Sequence, residues 1–136
     1  MRDFKFRAWH EYGNRKTANN RVIFEPGMIY DEKPGDCLLW KNQGQKITDI
    51  MQFTGIPDQG DEIYEKDIIE FDWDRPDGVH QVCRGIVKYS DKFACFMVNE
   101  ENNKFNNQSL RHVILLMNGR KIGNIHENPE LLKEAK

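Results

Sequence analysis

Apolar residues in this chain come in short runs that alternate with polar ones. The longest unbroken run is Val113-Ile114-Leu115-Leu116-Met117, and a membrane-crossing helix needs about twenty such residues. Short alternating runs between turn residues specify sheets, because a side-chain period of two lets one face be buried and the other solvated. Residues 3–9 alternate, with Phe4, Phe6 and Ala8 on one face and Lys5, Arg7 and Trp9 on the other, solvent-facing one. From Ile69 apolar and acidic residues alternate again, so that Ile69, Phe71 and Trp73 share a face opposite Glu70 and Asp72.

The remaining segments extend this pattern. Residues 11–20 are polar and turn-rich and read as a loop. Residues 21–36 hold Pro26-Gly27 and Pro34-Gly35, both turn signals, and are expected to carry no long element. Cys37-Leu38-Leu39-Trp40 reads as a short strand. Residues 46–53 read as a strand with Ile47, Met51 and Phe53 on one side, a helix being the competing assignment. A compact turn is expected over 54–60, a strand over 62–64 and a turn at Glu65-Lys66. Residues 79–89, bent at Gly85, and 92–98 form a hairpin, followed by a polar loop over 99–107. Residues 112–117 read as a buried strand, Asn118-Gly119 as a hairpin turn and 121–125 as the return strand. Asn128 with Pro129 marks the start of a terminal helix over 129–135. The sum is a mainly β (α+β) chain with the strand spacing of a small barrel or sandwich.

Aromatics make up 11% of the residues and offset a modest 38% apolar content, which argues against disorder. The net charge of −2 conceals an acidic middle between two basic flanks, with residues 1–24 at +4, 55–78 at −7 and 79–136 at +3. A polyanion binder would be basic throughout. Opposite patches of this kind can instead pair within a fold or across an oligomer. The first residues, Met-Arg-Asp-Phe-Lys, contain no apolar stretch of the secretory type, so the expected location is the cytoplasm of whichever cell makes the protein, with no membrane partner. Cys37, Cys83 and Cys95 are odd in number and lack the CxxC spacing, so reduced, packed thiols are expected rather than disulfides.

Sites with chemistry are scarce. His80 and Cys83, with Cys95, are the one cluster worth testing for a metal. At i and i+3 on a strand they face opposite sides, so no metal site and no cofactor is expected. The carboxylates Glu62, Glu65, Asp67, Glu70, Asp72 and Asp74 are dense enough for paired acid–base work. They read more simply as an acidic edge that keeps a strand soluble. No nucleophile elbow, phosphate loop or dinucleotide fingerprint is present. The chain is therefore expected not to be an enzyme. Two binding readings remain. A protein partner or a second copy could dock on exposed aromatics, the candidates being Trp40, Trp73, Tyr89 and Phe93. Nucleic acid could instead lie along Lys5, Arg7 and Trp9, with Arg111, Arg120 and Lys121 extending the positive surface. Against this, Trp9 could pack under the following loop and Arg7 could pair with the acidic segment.

Three stretches together resemble one family. They are Lys5-Phe6-Arg7-Ala8-Trp9; then Gln52-Phe53-Thr54-Gly55 with Asp58, Gly60 and residues 62–69; and finally Ile122-Gly123-Asn124-Ile125-His126-Glu127-Asn128-Pro129-Glu130-Leu131-Leu132. In order and spacing they resemble the YopX family. The resemblance implies a phage or prophage origin and an SH3-like barrel over residues 55–136, preceded by an irregular N-terminal subdomain over 1–54. It implies no activity and supplies no catalytic residue. Relatives usually carry Gly where Lys66 stands, and often an aromatic where His126 stands.

Overall fold

The computed structural model describes residues 4–58, 61–99 and 108–133. The chain is mainly β, with two antiparallel sheets and three short helices among the described residues. It divides into two compact units, Met1–Phe53 and Thr54–Lys136.

In the first unit, β1 (Phe6–Ala18) lies between β2 (Arg21–Tyr30) and β3 (Ile47–Asp58), antiparallel to both. The polar stretch after Trp9 is thus strand rather than loop, and residues 21–30 form a second long strand. Asn19 and Asn20 join them with φ of 51° and 61°, the type I′ geometry that suits the twist of a hairpin. Pro26 is tolerated because β2 is the sheet edge. The alternation signal fails here because the far end of the hairpin covers no core. Residues 14–24 are all exposed, so nothing requires one face to be apolar.

The stretch expected as a strand at 37–40 is helical, within α1 (Asp36–Asn42). Cys37 is fully buried beside Ala8 and Ile47, and Trp40, one turn on, packs against the same cluster. Leu38 and Leu39 point to solvent. A short unbroken apolar run fits helix and strand alike, and here the i, i+3 spacing decided. The strand expected at 46–53 forms with Ile47, Met51 and Phe53 buried on one side. It continues to Asp58, through the expected turn. Gly55 adopts φ of 79°, and Thr54 Oγ1 accepts the Ile56 N–H (3.1 Å) and donates to the Ile63 carbonyl (2.8 Å).

The second unit contains β4 (Asp61–Tyr64), β5 (Asp67–Asp74), β6 (His80–Ser90), β7 (Cys95–Asn99), β8 (Gln108–Ser109), α2 (Leu110–Leu116), β9 (Arg120–Asn124) and α3 (Glu130–Lys133). Its five-stranded sheet runs β8-β7-β6-β5-β9 and is open at both ends, with no barrel closure among the described strands. Ile69 and Phe71 enter a core with Ile63, Cys83, Val87, Phe96, Val98, Leu110 and Val113, and Trp73 packs on its margin, so the three share a face as the alternation requires. The β6–β7 hairpin forms, with Asp91 to Ala94 as its turn. Gly85 is not a bend: pairing to Ile69 runs straight through it, and a Cβ there would lie 2.6 Å from Val98 Cγ1. It is a close approach of the neighbouring strand β7, the other reason for glycine in a strand.

Residues 112–117 are not a strand. They run through α2 to its C-cap, Met117, and the helix is capped at its start by Ser109, whose hydroxyl accepts the His112 N–H. Leu110 and Val113 are buried, whereas Leu115 and Leu116 are 69% and 74% exposed. That one-sided burial is helical. Asn118-Gly119 therefore ends a helix rather than turning a hairpin. Asn118 takes φ of 53°, and the Gly119 N–H bonds to the Val113 carbonyl. β9 returns beside β5. Asn128 does not cap α3 with its side chain; its Oδ1 accepts the Asn124 N–H. The polar loop beyond Asn99 and the helix beyond Lys133 fall outside the described residues.

Lys66, where the family resemblance leads one to expect glycine, has φ of 71°. Its N–H bonds to the Val87 carbonyl and its own carbonyl accepts the Ile125 N–H, so the turn is fixed from both sides. A left-handed non-glycine residue costs roughly 1–2 kcal/mol. Part of this returns as unfolded-state entropy when glycine replaces it. Lys66→Gly is expected to stabilise the protein by about 0.5–1 kcal/mol, measured as a higher urea midpoint at constant slope. An unchanged or lower midpoint would show that this turn carries no strain.

Candidate functional site

In the first unit an open concavity of about 620 Å³ is lined by His10, Tyr12 and Gly13 of β1, Met28, Ile29 and Tyr30 of β2, Glu32, Trp40 of α1 and Gln45. The β1–β2 pairing sets Arg7 opposite Tyr30 and Trp9 opposite Met28, with a shift in register between His10 and Asn14. That irregularity frees residues 11–13 from the ladder and lets Tyr12 stand out, 53% exposed. Tyr30 is 48% exposed.

Two groups hold the rim in shape. The first is His10, whose Nδ1 accepts the Tyr12 N–H at 2.9 Å. The acceptor role at Nδ1 leaves the proton on Nε2, which then donates to Gln45 Oε1 at 3.2 Å. The His10 and Tyr12 rings meet edge-on, 6.1 Å between centres. The second is Asp31, which stations the start of α1. Oδ1 accepts the Cys37 N–H at 2.7 Å, and Oδ2 accepts those of Gly35 and Phe6 at 2.9 and 3.0 Å. Burial opposes the charge on Asp31, but these donors outweigh it and hold its carboxyl below the ordinary value. The Cys37 thiol is pushed up to about 12, first by burial and then by Asp31. It stays protonated and is a packing group rather than a nucleophile.

The concavity therefore offers three aromatic rings, a thioether, a tautomer-fixed imidazole, a carboxamide and one carboxylate. That set stacks on flat or cationic groups and hydrogen-bonds an extended chain.

The residues singled out from sequence are distributed differently. Arg7 is 1% exposed, so the solvent face assigned to it is wrong. It sits on the central strand, in register with Tyr30 of β2 and Met51 of β3. Lys5 is half-buried with Nζ 4.8 Å from the centre of the Phe53 ring, and Trp9 is half-buried. Lys5, Arg7 and Trp9 thus do not make an open basic stripe. In the second unit, Trp73 packs on the core. Tyr89 is 44% exposed and edge-on to Phe96; Phe93, in the adjoining turn, is 61% exposed with Lys92 over its ring. Tyr89 and Phe93 share one end of the β6–β7 hairpin. Trp73, opposite Gln81 at the other end of β6, is roughly 25 Å away at strand rise. Of the four aromatic candidates, Trp40 alone lines the concavity. Tyr12, Tyr30, Met28 and His10 were missed, because no turn-rich stretch predicts which of its aromatics will converge.

The acidic segment is largely engaged within its own unit. Glu70 accepts from Arg84 (2.9 Å) and Arg120 (2.6 Å), and Asp67, fully buried, accepts the Tyr64 N–H and faces Lys121 Nζ at 3.6 Å. Arg120 and Lys121 are thereby committed inside the unit rather than spread as a positive surface. Asp72 is held low chiefly by the Asn118 side chain, with Arg120 and His80 adding to it. His80 bonds Asp74 at 2.8 Å, which raises its pKa, with Asp72 adding to the effect. Among the described residues no three His, Cys, Asp or Glu side chains converge as a metal site, and no helix is long and apolar enough to cross a membrane.

Comparison with known proteins bears on the whole chain. The family model described as YopX protein matches residues 5–133. The chain belongs to the YopX family. A solved structure, the crystal structure of protein EF1440 from Enterococcus faecalis, is similar over 97% of this chain and 99% of that one, at 27% identity and a TM-score of 0.53. No curated protein matches the sequence. Membership in YopX thus identifies the relatives, and the activity has to be read from the surface.

Proposed function

We propose that this YopX-family protein is a non-enzymatic binding module of phage or prophage origin, acting in the cytoplasm. In this reading its first unit takes an extended segment of a partner protein. The second unit, which the family resemblance casts as SH3-like, is a scaffold. The observation that carries the reading is the concavity of Tyr12, Tyr30, Trp40 and Met28 with Glu32 at its edge. Aromatic faces and a carboxylate together favour a cationic side chain, each ring contact contributing about 0.5–1 kcal/mol at an exposed site. The occupant is therefore a peptide stretch bearing Lys or Arg. Nucleic acid is the weaker reading, because Arg7 is buried and a carboxylate borders the concavity.

Selection of a random peptide library on the intact protein tests this. Enrichment of peptides with a basic residue is expected, and their affinity should fall about tenfold in Tyr12→Ala/Tyr30→Ala and several-fold in Glu32→Gln. Peptides that ignore both variants would refute the assignment. A gel shift of single-stranded DNA that weakens linearly with log salt would move the reading to nucleic acid.

A further inference from the structure

The far end of the β1–β2 hairpin is a two-stranded ribbon. β3 pairs with β1 only over Phe6–His10, and residues 14–24 are exposed on both faces. Such a ribbon is marginal alone; three or more strands are needed for independent stability. Its outer edge is β2, whose exposed residues there include Val22, Ile23 and Phe24, 49%, 43% and 54% exposed. An apolar edge strand is a template for another strand.

The sequence of that edge is self-complementary. Arg21-Val22-Ile23-Phe24-Glu25, set antiparallel to itself about Ile23, places Val22 opposite Phe24 twice and Arg21 opposite Glu25 twice. The backbone phase agrees. The two-residue turn makes Ala18 and Arg21 the closing hydrogen-bonded pair. By alternation, Val22 and Phe24 therefore turn their N–H and C=O groups outward. In this register outward groups meet outward groups, as a ladder requires. Pro26, the next outward position, has no N–H and ends the pairing. Arg21 has no ion pair among the described residues. Glu25 is held by Lys16 at 2.8 Å on the face that Ile23 and Arg21 share.

We infer that a second copy of this chain docks on the β2 edge over residues 21–25, giving a four-stranded β1-β2-β2-β1 sheet about a two-fold axis. The segment lies at the opposite end of β2 from Met28 and Tyr30, so this inference stands apart from peptide capture in the concavity.

Light scattering across a concentration series, with charge-reversal variants of these exposed positions, tests it. The wild type is expected to form a dimer or a multiple of one. Arg21→Glu and Glu25→Arg should each weaken association about tenfold, since each sets like charges opposite one another twice. Mixing the two single variants should restore it, because the acidic pair on one chain then faces the basic pair on the other at both ends. Ile23→Cys should oxidise to a covalent dimer, the central pair being within disulfide reach. A wild type monomeric throughout the series would overturn the inference. So would a dimer indifferent to both reversals, which would place another surface at the interface, or weakened singles that do not recover on mixing.

Discussion

Glu70→Ala is expected to lower the stability of the protein by about 3 kcal/mol, read as a shift of the urea midpoint at constant slope. Glu70 lies on β5 between β6 and β9, directly opposite Arg84 on one side and Arg120 on the other. One carboxylate thus serves two guanidinium groups in a single row of the sheet, at 2.9 Å and at 2.6 and 3.1 Å. All three side chains are at least two-thirds covered. Truncating the acid leaves two half-buried cations on alternate strands, roughly 10 Å apart, with nothing between them. Arg84 also donates to the Leu131 carbonyl, so its displacement would loosen α3. Glu70→Gln keeps the shape and one acceptor and should cost about half as much. A loss under about 1 kcal/mol for the alanine variant would show instead an ordinary exposed ion pair. The same geometry bears on Glu70 as a proton donor. Arg120, and then Arg84, hold Glu70 below the ordinary carboxylate value against the effect of burial. A carboxylate held ionised with both oxygens engaged has no proton to give at neutral pH.

What the sequence made legible divides along physical lines. β5 was readable because one of its faces lies on a core: Ile69, Phe71 and Trp73 had to be apolar and Glu70 and Asp72 did not. The 14–24 ribbon was not readable, since a hairpin held by its ladder and exposed on both sides puts no period into its side chains. α1 and α2 were misread for a common reason. Leu38-Leu39 and Leu115-Leu116 extend apolar runs to solvent-facing positions, which erases the gap that would mark a helical face. Ser109 was the available cap signal for α2. Arg7 shows the limit of alternation itself. Period two says which residues share a face, but not whether a neighbour covers that face. The concavity was beyond reach for a related reason, since it gathers two strands, a helix and two connecting segments whose register depends on the His10–Asn14 irregularity.

Asp31→Asn is expected to destabilise the first unit by about 2–3 kcal/mol at neutral pH, and the deficit should vanish in acid. The carboxylate accepts three backbone N–H groups, from Phe6, Gly35 and Cys37. It thereby joins the start of β1 to the first turn of α1 and supplies the negative charge that a helix start favours. An amide offers one acceptor oxygen, and its NH2 would confront donors it cannot satisfy. The sign follows from the folded-state shift. Asp31 is lowered from its ordinary 3.8, so its contribution is present in full above that value and is lost as pH falls through the folded pKa. Wild type and Asp31→Asn should therefore differ most near neutrality and converge below the carboxylate range. Glu70 is lowered too, so wild type itself should lose stability over the same acid window. Urea denaturation of both proteins at a series of pH values reads this directly, with Trp9 and Trp40 as reporters in the first unit. A gap that stays constant into strong acid would mean that the shape of the side chain, and not its charge, holds the turn. It would also make Asp31 a steric cap in place of the electrostatic anchor on which the rim of the concavity depends.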